Sequence, residues 1–147
     1  MNQDIFQRLA QHLDDMPAGY PATESGVELR ILRRLFTPEQ AELAIHLTLL
    51  PEEPRVVARR AGLPVPETAQ RLAEMEQKGL IYSRHPRSGG APKYMNAPFV
   101  VGIWEFQVGR LTPELVRDFD EYSPYLMKVW EKTPQLRTIP IGESIDL

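Results

Sequence analysis

Two glycines, Gly62 and Gly79, constrain the fold of this chain more than any other feature, because each stops a short helix. Residues 54–61 have helical character, and Gly62 stands where a helix commonly ends in a left-handed residue. Pro66 suits the first turn of a second helix, which we predict over residues 66–78. Two helices separated by a tight turn containing glycine form a helix-turn-helix.

A β-hairpin is predicted immediately after Gly79. Residues 80–84 (LIYSR) are short, apolar and β-prone, residues 87–92 (RSGGAP) make a flexible tip, and residues 93–96 (KYMN) make a returning strand. A helix-turn-helix followed by such a hairpin has the element order of a winged helix. The predicted fold is therefore mainly α with a small β-hairpin: a winged helix-turn-helix with additional N-terminal and C-terminal helices.

Three helices are predicted before residue 54. The first spans residues 3–16, where apolar side chains recur at helical spacing. The second spans residues 26–36, with Ser25 as its N-cap and Glu28 as the reciprocal capping partner. The third begins at Pro38, directly after an N-cap threonine, and continues to about residue 49.

The C-terminal third is predicted to contain further helices. Residues 99–111 are apolar almost all round, which is typical of a helix buried on more than one side. Another helix begins at Pro113, and we expect Ser123-Pro124 to end it and to cap a last one. The chain divides into an N-terminal helical extension (1–36), the winged helix-turn-helix (37–98), the C-terminal helices (99–132) and an extended tail (133–147).

The absence of cysteine from the sequence excludes disulfides and thiolate-bound zinc or iron–sulfur clusters within it. The three histidines lie far apart, so we predict no metal site and no cofactor in this chain. No stretch approaches the ~20 apolar residues of a membrane span, and the N-terminus does not have the pattern of a signal peptide. We therefore expect a cytoplasmic location and no membrane partner.

The uneven distribution of charge suggests a nucleic-acid surface. The whole chain has a net charge of −3, but residues 55–93 contain eight basic and three acidic residues, a local charge of +5. In a helix-turn-helix the second helix lies in the major groove, where Arg and Gln read base edges, while other basic residues contact phosphates. The three acids, Glu67, Glu74 and Glu76, oppose this binding. The candidate nucleic-acid-binding residues are Arg55, Arg59, Arg60, Thr68, Gln70, Arg71, Lys78, Arg84, Arg87 and Lys93.

Large apolar residues are concentrated after the hairpin. Eight of the twelve aromatic residues lie between Tyr94 and Trp130. They either fill the core or form a dimer or docking surface, because excess exposed apolar surface marks contacts. The sequence leaves both interpretations open. The candidate interface residues are Phe99, Ile103, Trp104, Phe106, Phe119, Tyr122 and Trp130.

Four segments together resemble a known family: residues 23–44 (TESGVELRILRRLFTPEQAELA), the helix-turn-helix with its hairpin, residues 97–111 (APFVVGIWEFQVGRL) and residues 137–145 (RTIPIGESI). They are similar to the N-terminal winged-helix region of 4Fe-4S ferredoxin-type proteins of anaerobic bacteria. In that family a cysteine-rich, cluster-binding region follows the segment that matches IPIGESI. The resemblance thus implies 4Fe-4S clusters in a downstream region, but without cysteine no cluster ligand carries over to this sequence. Whether the chain is a fragment of a longer iron–sulfur protein stays open.

The sequence predicts a protein that is not an enzyme. The tight carboxylate pairs are Asp14-Asp15 and Glu52-Glu53, and neighbouring residues on a helix point in different directions. No nucleophile elbow, Walker loop or dinucleotide fingerprint is present. The first interpretation is a docking and assembly module in electron transfer, whose partner is another protein, a downstream iron–sulfur domain or a second copy. The alternative is a dimeric winged-helix transcriptional regulator that binds duplex DNA.

Overall fold

The computed structural model describes residues 4–132, which form a mainly helical fold with a two-stranded antiparallel sheet. In chain order the elements are α1 (Ile5–Asp14), α2 (Val27–Leu35), α3 (Pro38–Ala44), α4 (Pro54–Ala61), α5 (Val65–Gln77), β1 (Ile81–Arg84), β2 (Lys93–Asn96), α6 (Trp104–Phe106) and α7 (Pro113–Lys132). The predicted class, mainly α with a small hairpin, is confirmed. The predicted extended tail lies outside the described residues. No described helix has both the length and the apolar character needed to cross a membrane.

Helix α3 begins as predicted but ends earlier. The Thr37 hydroxyl accepts the Gln40 backbone N–H at 3.1 Å, and the Gln40 side chain accepts the Thr37 N–H at 3.0 Å, which confirms the capping box. The helix stops at Ala44 rather than near residue 49. After this end the chain turns so that the carbonyl of Thr48 accepts the backbone N–H of Asn96 in β2 at 2.8 Å. Pairing with the hairpin therefore replaces the last predicted turn.

Helix α2 is capped differently from the prediction. Its N-cap is Gly26, with φ of 74°, and not Ser25. Thr23 caps the start of the helix instead. Its hydroxyl accepts the Gly26 backbone N–H at 3.0 Å and donates to the Glu28 carboxylate at 2.6 Å. The Ser25 hydroxyl donates to Glu121 of α7 at 2.7 Å. The sequence pattern identified the right region but the wrong hydroxyl.

Gly62 and Gly79 both have the left-handed conformation that the sequence predicts, with φ of 71° and 73°. Helix α4 has its predicted bounds, and α5 begins and ends one residue before the prediction. The Leu80 N–H donates to the carbonyl of Met75 at 3.0 Å, which turns the chain from α5 into β1. The hairpin pairs Ile81 with Asn96 at one end and Arg84 with Lys93 at the other.

Residues 99–111 do not form the single helix that the apolar run predicts. A helical turn at Phe99–Ile103 is interrupted by non-helical backbone at Val100, Val101 and Gly102, and α6 and a 3-10 turn (Val108–Arg110) follow. Two β-branched valines and a glycine have low helix propensity. The extended backbone is held by side chains, because the Tyr82 hydroxyl donates to the Val101 carbonyl at 2.9 Å and Glu105 accepts the Gly102 N–H at 2.6 Å.

The predicted helix break at Ser123-Pro124 is also wrong, because α7 continues through Pro124 to Lys132. An internal proline costs about 3 kcal/mol or more. Tyr122 and Leu126, four residues apart and both buried, hold the two halves of α7 against the same core. Packing of this apolar face outweighs the local cost of the proline.

An aromatic cluster joins the loop after α1 to the segment after the hairpin and to α7. The rings of Tyr20, Phe99 and Tyr122 lie with centroids 5.0–6.3 Å apart, and all three residues are buried. The Tyr20 hydroxyl donates to the Glu28 carbonyl and that of Tyr122 donates to the Pro21 carbonyl, each at 2.7 Å. Because burial penalises the phenolate, the pKa values of both tyrosines are well above their ordinary value. This cluster belongs to one apolar core that also includes residues of α5 and the hairpin.

An ion-pair network fixes α7 to α2. Asp118 is nearly buried and accepts from Arg30 at 2.9 Å and from Arg34 at 2.5 Å, while Arg30 also reaches Glu121 at 2.9 Å. Burial alone would raise the pKa of Asp118, but the hydrogen bonds from Arg34 and Arg30 bring it below its usual value. Asp118 is therefore ionised in the folded chain at neutral pH.

Candidate docking and nucleic-acid surfaces

The exposed face of α5 is acidic or neutral. Its exposed side chains are Val65, Pro66, Glu67, Gln70, Glu74 and Gln77. The Gln70 amide lies near Glu74 at 3.4 Å, so the candidate Gln70 is exposed beside a carboxylate. Carboxylates facing phosphates oppose the electrostatic term that supplies most non-specific affinity for DNA.

Three candidate DNA contacts of this region are engaged within the fold. Thr68 is fully buried and donates its hydroxyl to the Pro64 carbonyl at 2.9 Å, so it cannot reach a nucleic acid. Arg71 forms an ion pair with Glu67 at 2.9 Å. Lys78 is half-buried and donates to the Gln40 side chain at 2.8 Å, and burial lowers its pKa. No candidate residue of the predicted reading helix is therefore an exposed cation without contacts inside the fold.

The α4 arginines differ from one another in their contacts. Arg60 makes two bonds to the Glu52 carboxylate, at 3.0 and 2.7 Å, and also donates to the His46 carbonyl. It holds α4 to the preceding loop, and its assignment as a phosphate contact stays a prediction. Arg55 is exposed and pairs with Glu53 at 2.8 Å. Arg59 is exposed and has no ion pair with a described residue.

The hairpin retains a basic surface. Arg84 and Lys93 are cross-strand neighbours, and Arg87 lies at the tip. All three are exposed, and none forms an ion pair with another residue in the described range 4–132. His85, at the end of β1, instead contacts Glu76 of α5 at 2.6 Å. Like charges directly opposite each other are unfavourable, so this basic pair does not stabilise the hairpin.

The predicted interface residues separate into core and surface groups. Phe99, Ile103 and Tyr122 are almost wholly buried and belong to the core, so they are not available as an interface. Trp104 and Phe119 are half-buried and stack with ring centroids 3.9 Å apart. Trp130 is half-buried, and its indole N–H donates to the Ala18 carbonyl at 3.3 Å. Phe106 has the clearest exposure of the set, at 44%.

Three aliphatic residues close to Phe106 in sequence are also exposed. The exposed fractions of Val101, Val108 and Leu111 are 63%, 65% and 39%. Tyr82 links part of this group, because its hydroxyl bonds to Val101 and its ring meets Phe106 edge-on at 5.6 Å. We call these four residues (Val101, Phe106, Val108 and Leu111) the 101–111 surface. Sequence reasoning missed the aliphatic members because it treated the apolar run as one buried helix.

The 101–111 surface lies on a well-anchored segment. Gln107 is buried, and its side-chain amide donates to the carbonyls of Lys78 at 2.9 Å and of Gly79 at 3.3 Å. Arg110 donates to the Gln77 carbonyl at 2.8 Å. These bonds satisfy the C-terminal carbonyls of α5, so the exposed apolar side chains are presented from fixed backbone.

No protein-family model, curated protein or solved structure matches the chain. The resemblance to ferredoxin-type proteins therefore stays a prediction. Within residues 4–132 no group of three or more His, Asp or Glu side chains is placed to hold a metal ion.

Proposed function

We propose that the chain is a non-catalytic docking module with a winged helix-turn-helix frame that uses the 101–111 surface to bind a partner protein. Support for the frame comes from a β-bridge before α4, at the position where a winged helix has its first strand. Glu52 and Tyr94 exchange backbone hydrogen bonds at 2.9 and 2.8 Å, so the segment leading into α4 pairs with β2. In a winged helix a segment paired with the hairpin in this way is followed by the helix-turn-helix and the hairpin, which is the order found here.

The observation that carries the docking proposal is the exposure of four large apolar side chains within eleven residues, at Val101, Phe106, Val108 and Leu111. Fully burying one such side chain is worth about 1.5–3 kcal/mol. Apolar surface that is grouped and rigid typically marks a protein contact. Because Gln107 and Arg110 already fix the backbone, binding needs little further ordering of the segment.

We infer that the partner is an iron–sulfur protein or domain of electron transfer. The resemblance of residues 23–44, 97–111 and 137–145 to ferredoxin-type proteins supports this choice. In this arrangement the cluster is held by the partner's cysteines, and this chain supplies the contact surface.

The test is titration of the chain with a reconstituted 4Fe-4S ferredoxin-type protein of the same organism. Val108→Glu places a charge on the most exposed of the four side chains and is expected to weaken binding at least about tenfold, which is about 1.4 kcal/mol. Leu50→Glu is the matched control, because Leu50 is 70% exposed on a different segment. Equal affinities for Val108→Glu and the unchanged protein would refute the assignment of this surface.

DNA binding through the hairpin is the second candidate function. The charges of Arg84, Arg87 and Lys93, which are exposed and form no ion pair within residues 4–132, favour it, whereas the acidic residues of α5 oppose it. Under this alternative the chain shifts random duplex at about 50 mM salt, where phosphate contacts are strongest. Replacing Arg84 and Lys93 with alanine should then reduce the slope of log K against log salt concentration by about 2. Alanine at Arg117 and Lys128 of α7 should leave that slope unchanged. Absence of any shift by the unchanged protein excludes this function.

A further inference from the structure

A small pocket lies where α2, the end of α5 and the start of α7 meet. It has a volume of about 170 Å³. Three cationic side chains, Arg34, Lys78 and Arg110, line it together with the Thr112 hydroxyl. The three cations come from separate stretches of sequence, so only the fold brings their charges together.

The charge of this pocket distinguishes it from its neighbours. None of its described lining residues is acidic. Three other pockets of the described chain each include at least one carboxylate: Asp14 and Glu28 in one, Asp15 in the second and Glu42 in the third. Asp118 offsets one of the three charges of this pocket through its ion pair with Arg34 at 2.5 Å. Lys78 and Arg110 form no ion pair with a described residue, so the pocket keeps a net positive charge.

The hydrogen bonds within the fold leave donors available in the pocket. Asp118 binds Arg34 through Nε and is shared with Arg30, so the other guanidinium nitrogens of Arg34 are available. Lys78 donates to the neutral Gln40 side chain, and Arg110 uses Nη1 for the Gln77 carbonyl. Neither Lys78 nor Arg110 forms an ion pair with a residue in the described part of the chain.

Thr112 adds a neutral donor at the N-terminus of α7. Its hydroxyl oxygen accepts the Leu115 N–H at 3.2 Å, which leaves the hydroxyl hydrogen for a ligand. The Lys78 ammonium is partly desolvated, which lowers its pKa, and a bound anion would compensate for this loss of hydration. Charge-assisted hydrogen bonds to such an anion are roughly twice as strong as neutral ones.

We propose that this pocket binds one small anionic group, a phosphate or a carboxylate. Typical small-molecule sites occupy about 300–1,000 Å³, so this volume suits a single group and not a whole cofactor. Leu35, Leu80 and Leu115 provide the apolar part of the wall, against which the carbon atoms next to the anion can pack. The group comes either from a free anion or from an acidic side chain of a partner docked beside Arg110.

The experiment is a two-arm NMR titration of the ¹⁵N-labelled chain at constant ionic strength. One arm uses inorganic phosphate, and the other uses an acetylated, amidated triglutamate peptide. We expect saturable 1:1 shifts of the backbone amides of residues 107–112, 114 and 115 with at least one probe. Lys78→Gln combined with Arg110→Gln should weaken that binding at least about tenfold. The matched control, Arg55→Gln with Arg59→Gln, removes two charges from α4 and should leave it unchanged.

Stronger binding of phosphate identifies a free anion as the ligand, and stronger binding of the peptide identifies an acidic partner segment. The proposal is overturned if neither probe gives saturable shifts, or if the α4 control loses binding as much as the pocket variant. If the double variant does not fold, Arg110→Gln alone provides the test, because Arg110 is exposed. The titration contains no partner protein, so its failure and failure of the docking proposal are distinguishable.

Discussion

Replacing Gly79 with alanine perturbs the point where α5, the hairpin and α6 meet. Gly79 has φ of 73°, and an added Cβ would lie 2.5 Å from the Cβ of Phe106. A non-glycine residue in the left-handed region costs about 1–2 kcal/mol. The overlap with Phe106 adds about 1–3 kcal/mol, the usual cost of overpacking, because the backbone must shift. We therefore expect Gly79→Ala to lower the free energy of unfolding by about 2–5 kcal/mol.

Gly62→Ala separates the two contributions. Gly62 has nearly the same φ, 71°, but nothing lies within 4 Å of its added Cβ. Gly62→Ala should therefore lower the free energy of unfolding only by the cost of the left-handed backbone, about 1–2 kcal/mol. Urea unfolding followed by far-UV circular dichroism measures both variants against the unchanged protein. If Gly79→Ala loses no more stability than Gly62→Ala, the result contradicts the close approach of Phe106 to the end of α5.

Two further predictions concern polar contacts of α7. Asp118→Asn should destabilise the fold by about 1–2 kcal/mol near neutral pH, a value reduced by the exposure of its arginine partners. Because the folded-state pKa of Asp118 is lowered, its stabilisation is present above its unfolded pKa of about 4 and is lost as the pH falls through the folded value. The difference between Asp118→Asn and the unchanged protein in urea unfolding should therefore shrink between pH 7 and about pH 3, and a constant difference contradicts the ion pair. Tyr122→Phe should cost about 1 kcal/mol by leaving the Pro21 carbonyl unpaired, and an unchanged unfolding midpoint would show that this bond adds nothing.

The elements that the sequence predicts best are those with local signals. Thr37, Pro38 and Gln40 define the start of α3, and Gly62 and Gly79 define the ends of α4 and α5. Capping and left-handed glycines depend on a few adjacent residues, so their patterns can be recognised without knowledge of the tertiary structure.

The wrong predictions are those that tertiary contacts decide. Pro124 is a helix breaker in isolation, but buried residues on both sides of it keep α7 continuous. The apolar run at 99–111 reads as a helix, yet Tyr82 and Glu105 hold its extended backbone. Hydrophobic periodicity gives no information about such distant partners.

Candidate site residues are subject to the same limit. A surface arginine and a structural arginine are identical in sequence, and only the fold shows that Arg60 is bound to Glu52 whereas Arg59 is free of described ion pairs. The cluster of Arg34, Lys78 and Arg110 was not predicted either, because its members are separated by more than thirty residues along the chain.

Hydrogen–deuterium exchange of the chain, alone and with the proposed iron–sulfur partner, tests the central claim most directly, because it locates the contact without any substitution. The docking account predicts slower exchange on binding across residues 101–111, with the hairpin tip near Arg87 unchanged. Protection confined to residues 84–93, or no protection at saturating partner, contradicts it.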